Sequence, residues 1–402
     1  MNSQKLGLKE NWQQFTLLVI VNAFVGGMVG MERSILPQLA TFEFHIAAKT
    51  AILSFIAVFG LTKALTNYFA GSLANLLGRK NLLIIGWLFA LPVPLLLIYA
   101  PSWSWIIVAN VFLGINQGLA WSSTVVMKID LVGPKNRGFA MGINEAAGYL
   151  AVGGVAFLSA YLANHYALRP YPFYIGILLS VLGLLFSIFL IKDTRGFAAL
   201  EVEHSEAPLL KHIFLDTSWR QPNLSAISQG GFVNNLNDGM IWGLFPLLLL
   251  SKGFSATELA QIIAIYPAFW GFSQLFTGKL ADRYAKKSLL FWGMFLQGLA
   301  ILGFIWASSF MAFAALSVVL GIGTAVVYPT FLAAIADNTH PSQRAQSIGI
   351  YRLWRDLGYA FGALLTGILI DFWSINSAIL AIGFLTICSA LVILFRMTTP
   401  TK

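Results

Sequence analysis

Eight ionisable side chains interrupt sequence that is otherwise apolar enough to cross a membrane. Four are basic, Arg33, Lys63, Arg352 and Arg355, and four are acidic, Glu32, Glu145, Asp238 and Asp356. A charge at the bilayer centre costs roughly 2.5–3.5 kcal/mol even on the mildest scale, so each needs a reason. A carboxylate in a dry cavity is a natural proton carrier, because desolvation favours the neutral form. A guanidinium or ammonium there suits a substrate carboxylate or phosphate. Arg352, Arg355 and Asp356 share a turn and a half of helix, which points to a site or gate, with a fold-holding ion network as the alternative. At a rise of about 1.5 Å per residue, Glu145 lies about 12 Å inward from Arg137, and Arg352 the same depth inward from Arg344. Lys63 is as deep, counted from Gly71, and reads either as a cavity residue or as a strut that snorkels. Glu32 and Arg33 fall in the outer third and serve either chemistry or interfacial anchoring. Asp238 is near mid-membrane.

Amides accompany these charges. Asn234 and Asn235 stand with Asp238 between Gly230–Gly231 and Gly239, and Asn116 and Gln117 give the fourth apolar stretch a polar face. Polar groups at that depth suit a water-filled cavity. Other chemistry is missing. The five histidines, His45, His165, His204, His212 and His340, are scattered through loops and stretch ends and form no metal-ligand set. No phosphate-binding loop, nucleotide fingerprint or nucleophile elbow is present, so no cofactor, metal, enzymatic role or nucleic-acid partner is expected.

These residues must be positioned by membrane helices. Of 402 residues, 58% are hydrophobic and 10% charged, and the mean hydropathy is +0.76. A soluble domain is nearer a quarter charged. Twelve stretches reach the roughly 20 residues needed to span the hydrocarbon core, at about 14–38, 48–71, 81–100, 104–128, 138–163, 172–191, 223–249, 257–278, 288–307, 310–334, 344–370 and 375–396. The first is too long for the apolar core of a cleaved signal, so no signal peptide is expected. The single cysteine, Cys388, excludes a disulfide within the chain. The predicted fold class is an all-α polytopic membrane protein of 12 transmembrane helices. With the N-terminus inside, 18 of the 25 basic residues fall in inner segments and three, Lys49, Arg169 and Lys252, in outer loops. That bias places both termini in the cytoplasm.

The chain is also duplicated. Gly71-Ser-Leu-Ala-Asn-Leu-Leu-Gly-Arg-Lys80 recurs 207 residues later as Gly278-Lys-Leu-Ala-Asp-Arg-Tyr-Ala-Lys-Lys287, and Pro134, Arg137, Gly142 and Ile143 match Pro341, Arg344, Gly349 and Ile350 at the same shift. Glu145 and Arg352 occupy equivalent positions. The domain reading is an N-terminal half over 1–191, a cytoplasmic linker over 192–222 and a C-terminal half over 223–402, two parallel repeats around a central site.

On these residues the chain resembles the major facilitator superfamily of secondary transporters, over essentially its whole length. The resemblance implies alternating access. It implies that the loop signature after the second and eighth spans forms a cytoplasmic gate, here Gly71, Asn75, Gly78, Arg79 and Lys80 in one copy and Gly278, Asp282, Arg283 and Lys286 in the other. The family's signature acid is kept as Asp282 but replaced by Asn75, which implies a latch carried mainly by Asp282. Where drug–proton antiporters of the family carry an arginine four residues before Gly114, this chain has Asn110. Spans 3, 6, 9 and 12, free of charges, match the family's lipid-facing supports. The implied function is a secondary transporter of a small organic solute, proton-coupled, with export favoured. The alternatives are uptake of an organic anion or zwitterion, and a membrane sensor on a transporter fold. Its partners are then the solute, protons and the lipid bilayer, and it acts as a monomer in a bacterial inner membrane.

Overall fold

The computed structural model describes residues 5–33, 35–46, 49–203 and 209–398, so His204 lies outside the described residues. Among the described residues the regular structure is helical, with no strand. Among the described residues, twelve rods follow the twelve apolar stretches. They are α1 (Trp12–Phe42), α2 (Lys49–Leu77), α3 (Arg79–Tyr99), α4 (Trp103–Val132), α5 (Arg137–His165), α6 (Tyr171–Phe189), α7 (Pro222–Ser251), α8 (Ala256–Arg283), α9 (Lys286–Gly303), α10 (Phe310–Asp337), α11 (Arg344–Phe372) and α12 (Ile375–Arg396). Eight of them, α1, α3, α4, α5, α6, α10, α11 and α12, are individually long and apolar enough to cross a membrane. Between α6 and α7 runs a linker helix, Arg195–Val202.

The sequence sets the ends of these rods. Gly78, at φ +92°, separates α2 from α3 in a conformation that a residue with a Cβ rarely adopts. Ser255 and Glu258 form a reciprocal capping box at the start of α8, and Ser309 and Ser374 cap α10 and α12. Inside α4, Gln117–Trp121 forms one wide π-type turn, a feature found often at functional sites.

The chain packs into two compact units. Unit one holds Met1–Pro134, Ala147–Ser205 and Arg344–Gly349; unit two holds Lys135–Ala146, Glu206–Gln343 and Ile350–Lys402. The first turns of α5 thus belong with unit two, and the first turns of α11 with unit one. In unit one α2 packs on α4 and α1 on α6; in unit two α8 and α9 pack on α10, and α12 packs on α7 and α9. Main chains touch where glycine permits it. A Cβ on Gly30 of α1 would collide with the Val152 carbonyl of α5, and one on Gly239 of α7 with the Tyr359 carbonyl of α11. Close helix contact through small residues is a membrane-protein device. Large apolar side chains such as Phe157, Phe276, Phe372 and Phe395 are exposed, as lipid contact requires.

Candidate functional site

At the basic-loop end, each unit builds the same cluster on the start of one helix. In unit two, Asp337 at the end of α10 pairs with Lys286 at 2.7 Å and with Arg137 of α5 at 2.8 Å. The Asp282 carboxylate, at the end of α8, accepts the Gly138 amide at 2.7 Å and the Phe139 amide at 2.8 Å. It thereby caps the N-terminus of α5, where unsatisfied N–H groups and the helix dipole favour a negative charge. Gly142 and Gly278 give the backbones room to cross: a Cβ on either would crowd the other helix's main chain.

In unit one, Asp130 at the end of α4 takes Arg79 at 3.3 Å and Arg344 of α11 at 3.9 Å, and accepts the Thr194 hydroxyl at 2.9 Å. Every member is the partner of a unit-two residue at the 207-residue shift: Arg79 of Lys286, Asp130 of Asp337, Arg344 of Arg137. Gly71 lies against the Ala345 carbonyl and Gly349 against that of Asn67. Lys80 donates its amide to Asp193 at 3.2 Å and its ammonium to the Ile188 carbonyl at 2.8 Å. Asn75 and Arg283 are exposed. Sequence reasoning missed Asp130 and Asp337, because both fall just where span gives way to loop; the repeat shift would have found them together.

Deeper in unit one, Asn110 donates to the buried Glu32 at 3.4 Å. The Arg33 guanidinium lies over the Phe59 ring at 5.7 Å, and the Lys63 ammonium over Phe59 at 5.8 Å and Trp121 at 5.5 Å, favourable cation–ring geometry. Asn116 donates to the Gly86 carbonyl at 2.9 Å and Gln117 to the Val25 carbonyl at 2.7 Å. These two amides, read from sequence as cavity lining, tie the wide turn of α4 to α3 and α1.

Deeper in unit two, the Glu145 and Arg352 side chains approach to 3.7 Å, both fully buried, and Asn144 donates to Glu145 at 2.7 Å. Asp238 of α7 accepts the hydroxyl of Tyr266 on α8, which also lies 3.4 Å from Thr324 of α10. Tyr266 stacks on Trp270, Trp270 meets Tyr328 at 5.0 Å, and Tyr328 donates to Asn235 at 3.0 Å. Arg355 lies over the Tyr328 ring at 5.5 Å and binds Asp356 at 2.9 and 2.7 Å. One turn from Asp238, Asn234 is 1% exposed, and neither atom of its amide has a hydrogen-bond partner. Gln274, one turn beyond Trp270, is likewise buried with both amide atoms unpaired. Buried polar atoms are nearly always satisfied, so unpaired ones need an explanation such as a ligand or water. Tyr266, Trp270 and Tyr328 join α7, α8 and α10 around Asp238. Among the described residues no His, Cys, Asp and Glu cluster could hold a metal.

The family model described as the Major Facilitator Superfamily matches residues 18–224 and 227–402. An uncharacterised MFS-type transporter of Methanocaldococcus jannaschii is 27% identical over 164 residues, which is 40% of this chain and 42% of that protein. The chain therefore aligns with less than half the length of that relative. The proton-coupled antiporter flippase LtaA of Staphylococcus haemolyticus is 22% identical over 379 residues, covering 91% of this chain and 89% of its own. The crystal structure of the human organic anion transporter MFSD10 superposes with a TM-score of 0.78 at 15% identity, over 95% of this chain and 99% of that one, a likeness of fold. A duplicated set of membrane helices, with one signature loop in each repeat, is what the family match spans from end to end. The protein is a multi-pass membrane protein, and it belongs to the major facilitator superfamily.

Proposed function

We propose that the protein exports a small organic solute in exchange for protons, by alternating access, from a bacterial inner membrane with both termini in the cytoplasm. The observation that supports this most is Asp238, a buried carboxylate whose partner is a tyrosine hydroxyl. When Asp238 is ionised, Tyr266 donates to it. When Asp238 carries a proton, the carboxyl donates to Tyr266, and the tyrosine hydroxyl is released to donate to Thr324. One proton thus reverses a hydrogen-bond chain running across α7, α8 and α10, where Asn234 and Gln274 hold amide atoms ready for a solute. The relative aligned over nine-tenths of the chain is named a proton-coupled antiporter, which favours exchange.

Access at the basic-loop end is governed by the two ionic clusters. Opening requires the first turns of α11 to leave α2 and those of α5 to leave α8, and the lysines and arginines there favour the cytoplasmic side for that end. Arg352 and Arg355 favour a second reading, uptake of an organic anion or zwitterion. The test is purified protein in proteoliposomes, with a broad metabolite panel and an imposed pH gradient of either sign. Exchange predicts that one solute accumulates only on the acidic side, and that Asp238→Asn abolishes the accumulation. Solute flux that ignores the gradient, or runs with the proton, overturns the proposal.

A further inference from the structure

The two clusters at the basic-loop end are alike in three members and differ in the fourth. Asp337, Lys286 and Arg137 carry a net positive charge, as do Asp130, Arg79 and Arg344. An uncompensated charge in a buried cluster is strongly destabilising. In unit two the balance comes from Asp282, four residues before Lys286 across the α8–α9 connection, with its carboxylate on the amides of Gly138 and Phe139. The equivalent position in unit one is Asn75, which has no charge to give.

A carboxylate is present in unit one all the same, from a different part of the chain. Glu201, on the linker helix, receives both terminal nitrogens of Arg344, at 2.9 and 2.6 Å. The side chains are 2% and 12% exposed, and this two-pronged geometry is the strong form of an arginine–carboxylate pair. It is also much tighter than the 3.9 Å approach of Arg344 to Asp130. The linker helix is held in place for this. Thr194, at its start, donates to Asp130, Asp193 accepts the Lys80 amide, and Ala198 is buried.

We propose that Glu201 is a positioning residue of the transport cycle, supplying from the linker the negative charge that the signature loop of the first repeat has lost. It acts through Arg344: α11 leaves α2 only when the linker helix releases Arg344, so linker docking and opening are one event in unit one. This rests on the alternating-access reading given above and adds to it a part of the chain outside the twelve spans.

The experiment reads access directly, with N-ethylmaleimide on the full-length protein in membranes and in a Cys388→Ser background. Ser347→Cys, on the buried face of the α11 start, reports unit one, and Ala140→Cys, on the α5 start, reports unit two; both positions are fully buried. Glu201→Gln is expected to raise alkylation of the Ser347→Cys protein about tenfold, the scale expected when a buried cation loses its tighter partner, and to leave the Ala140→Cys protein unchanged. Glu201→Asp is expected to retain most of the protection. The decisive variant is Asn75→Asp combined with Glu201→Gln, which restores protection if the two carboxylates are interchangeable and which a simple folding defect would not restore. Unchanged alkylation in Glu201→Gln, or no rescue by Asn75→Asp, overturns the proposal. Asp282→Asn on the Ala140→Cys protein separates the two readings. If it exposes that site while Glu201→Gln exposes nothing, only the role of Glu201 fails; if neither exposes anything, the gating reading fails as well.

Discussion

The polar residues at membrane depth serve different ends in the two units. In unit one, Asn116 and Gln117 spend their N–H groups on the carbonyls of Gly86 and Val25, and both cations lie against rings. In unit two, Asn234, one turn from a tyrosine-held carboxylate, and Gln274, two turns along α8 from that tyrosine, keep every polar atom of their amides unbonded. A hydrogen bond to main chain stabilises the fold; a buried amide left unbonded costs it about 1–3 kcal/mol. Such a cost suits a residue kept for binding. The difference teaches that one duplicated scaffold can use its buried amides in two ways, and it is the second repeat to which the proposed solute and proton chemistry belongs.

The largest expected effect is Arg352→Ala, which leaves Glu145 buried without its cation. It should lower stability by about 3–5 kcal/mol, read as a fall in the thermal unfolding midpoint of purified protein. Adding Glu145→Ala should recover part of the loss. A single variant as stable as the parent would mean that the pair is not buried in the working protein. Next in size is Asp238→Asn: solute binding should persist, measured by ligand-induced thermal stabilisation, while dependence of transport on a pH gradient disappears. Transport still fully gradient-driven would move the proton site to Glu145 and blunt the contrast between the units.

Smaller effects sharpen the comparison. Gln117→Ala should cost about 1–3 kcal/mol, because a buried carbonyl loses a donor at the wide turn of α4. Asn234→Ala should leave stability unchanged or raise it, since no bond is lost and an unbonded buried amide is removed, yet should weaken solute affinity. The comparison breaks if the order reverses, with Asn234→Ala unfolding the protein and Gln117→Ala harming only transport.

Much of the fold was legible because its signals are long and additive. Twenty apolar residues in a row mark a span whatever surrounds them, and a 207-residue repeat carries over many positions. The depth arithmetic also set Glu145 level with Arg352, and the structure brings them within 3.7 Å. What stayed hidden depends on single turns. The wide turn over Gln117–Trp121 redirects two amides onto backbone, and nothing in its composition announces it. Glu201 is one of several charges of both signs in the linker, and its partner lies 143 residues away. Tyr266 is one of 12 tyrosines in the chain, and only the packing of α8 on α10, with α7 alongside, makes it the partner of Asp238.

Asp282 holds α5 through two main-chain amides rather than through a side chain. Every residue except proline offers that N–H, so the grip makes no demand on the identity of residue 139, and only crowding limits residue 138. Arg344 and Glu201 each need the other's side chain. Under mutation the first repeat therefore behaves as a lock and key that must drift together, and the second as a hook that fits any rail. If Glu201 supplies the charge that Asn75 lacks, homologues with an acid at position 75 are expected to be free to lose Glu201, and those without it to keep it.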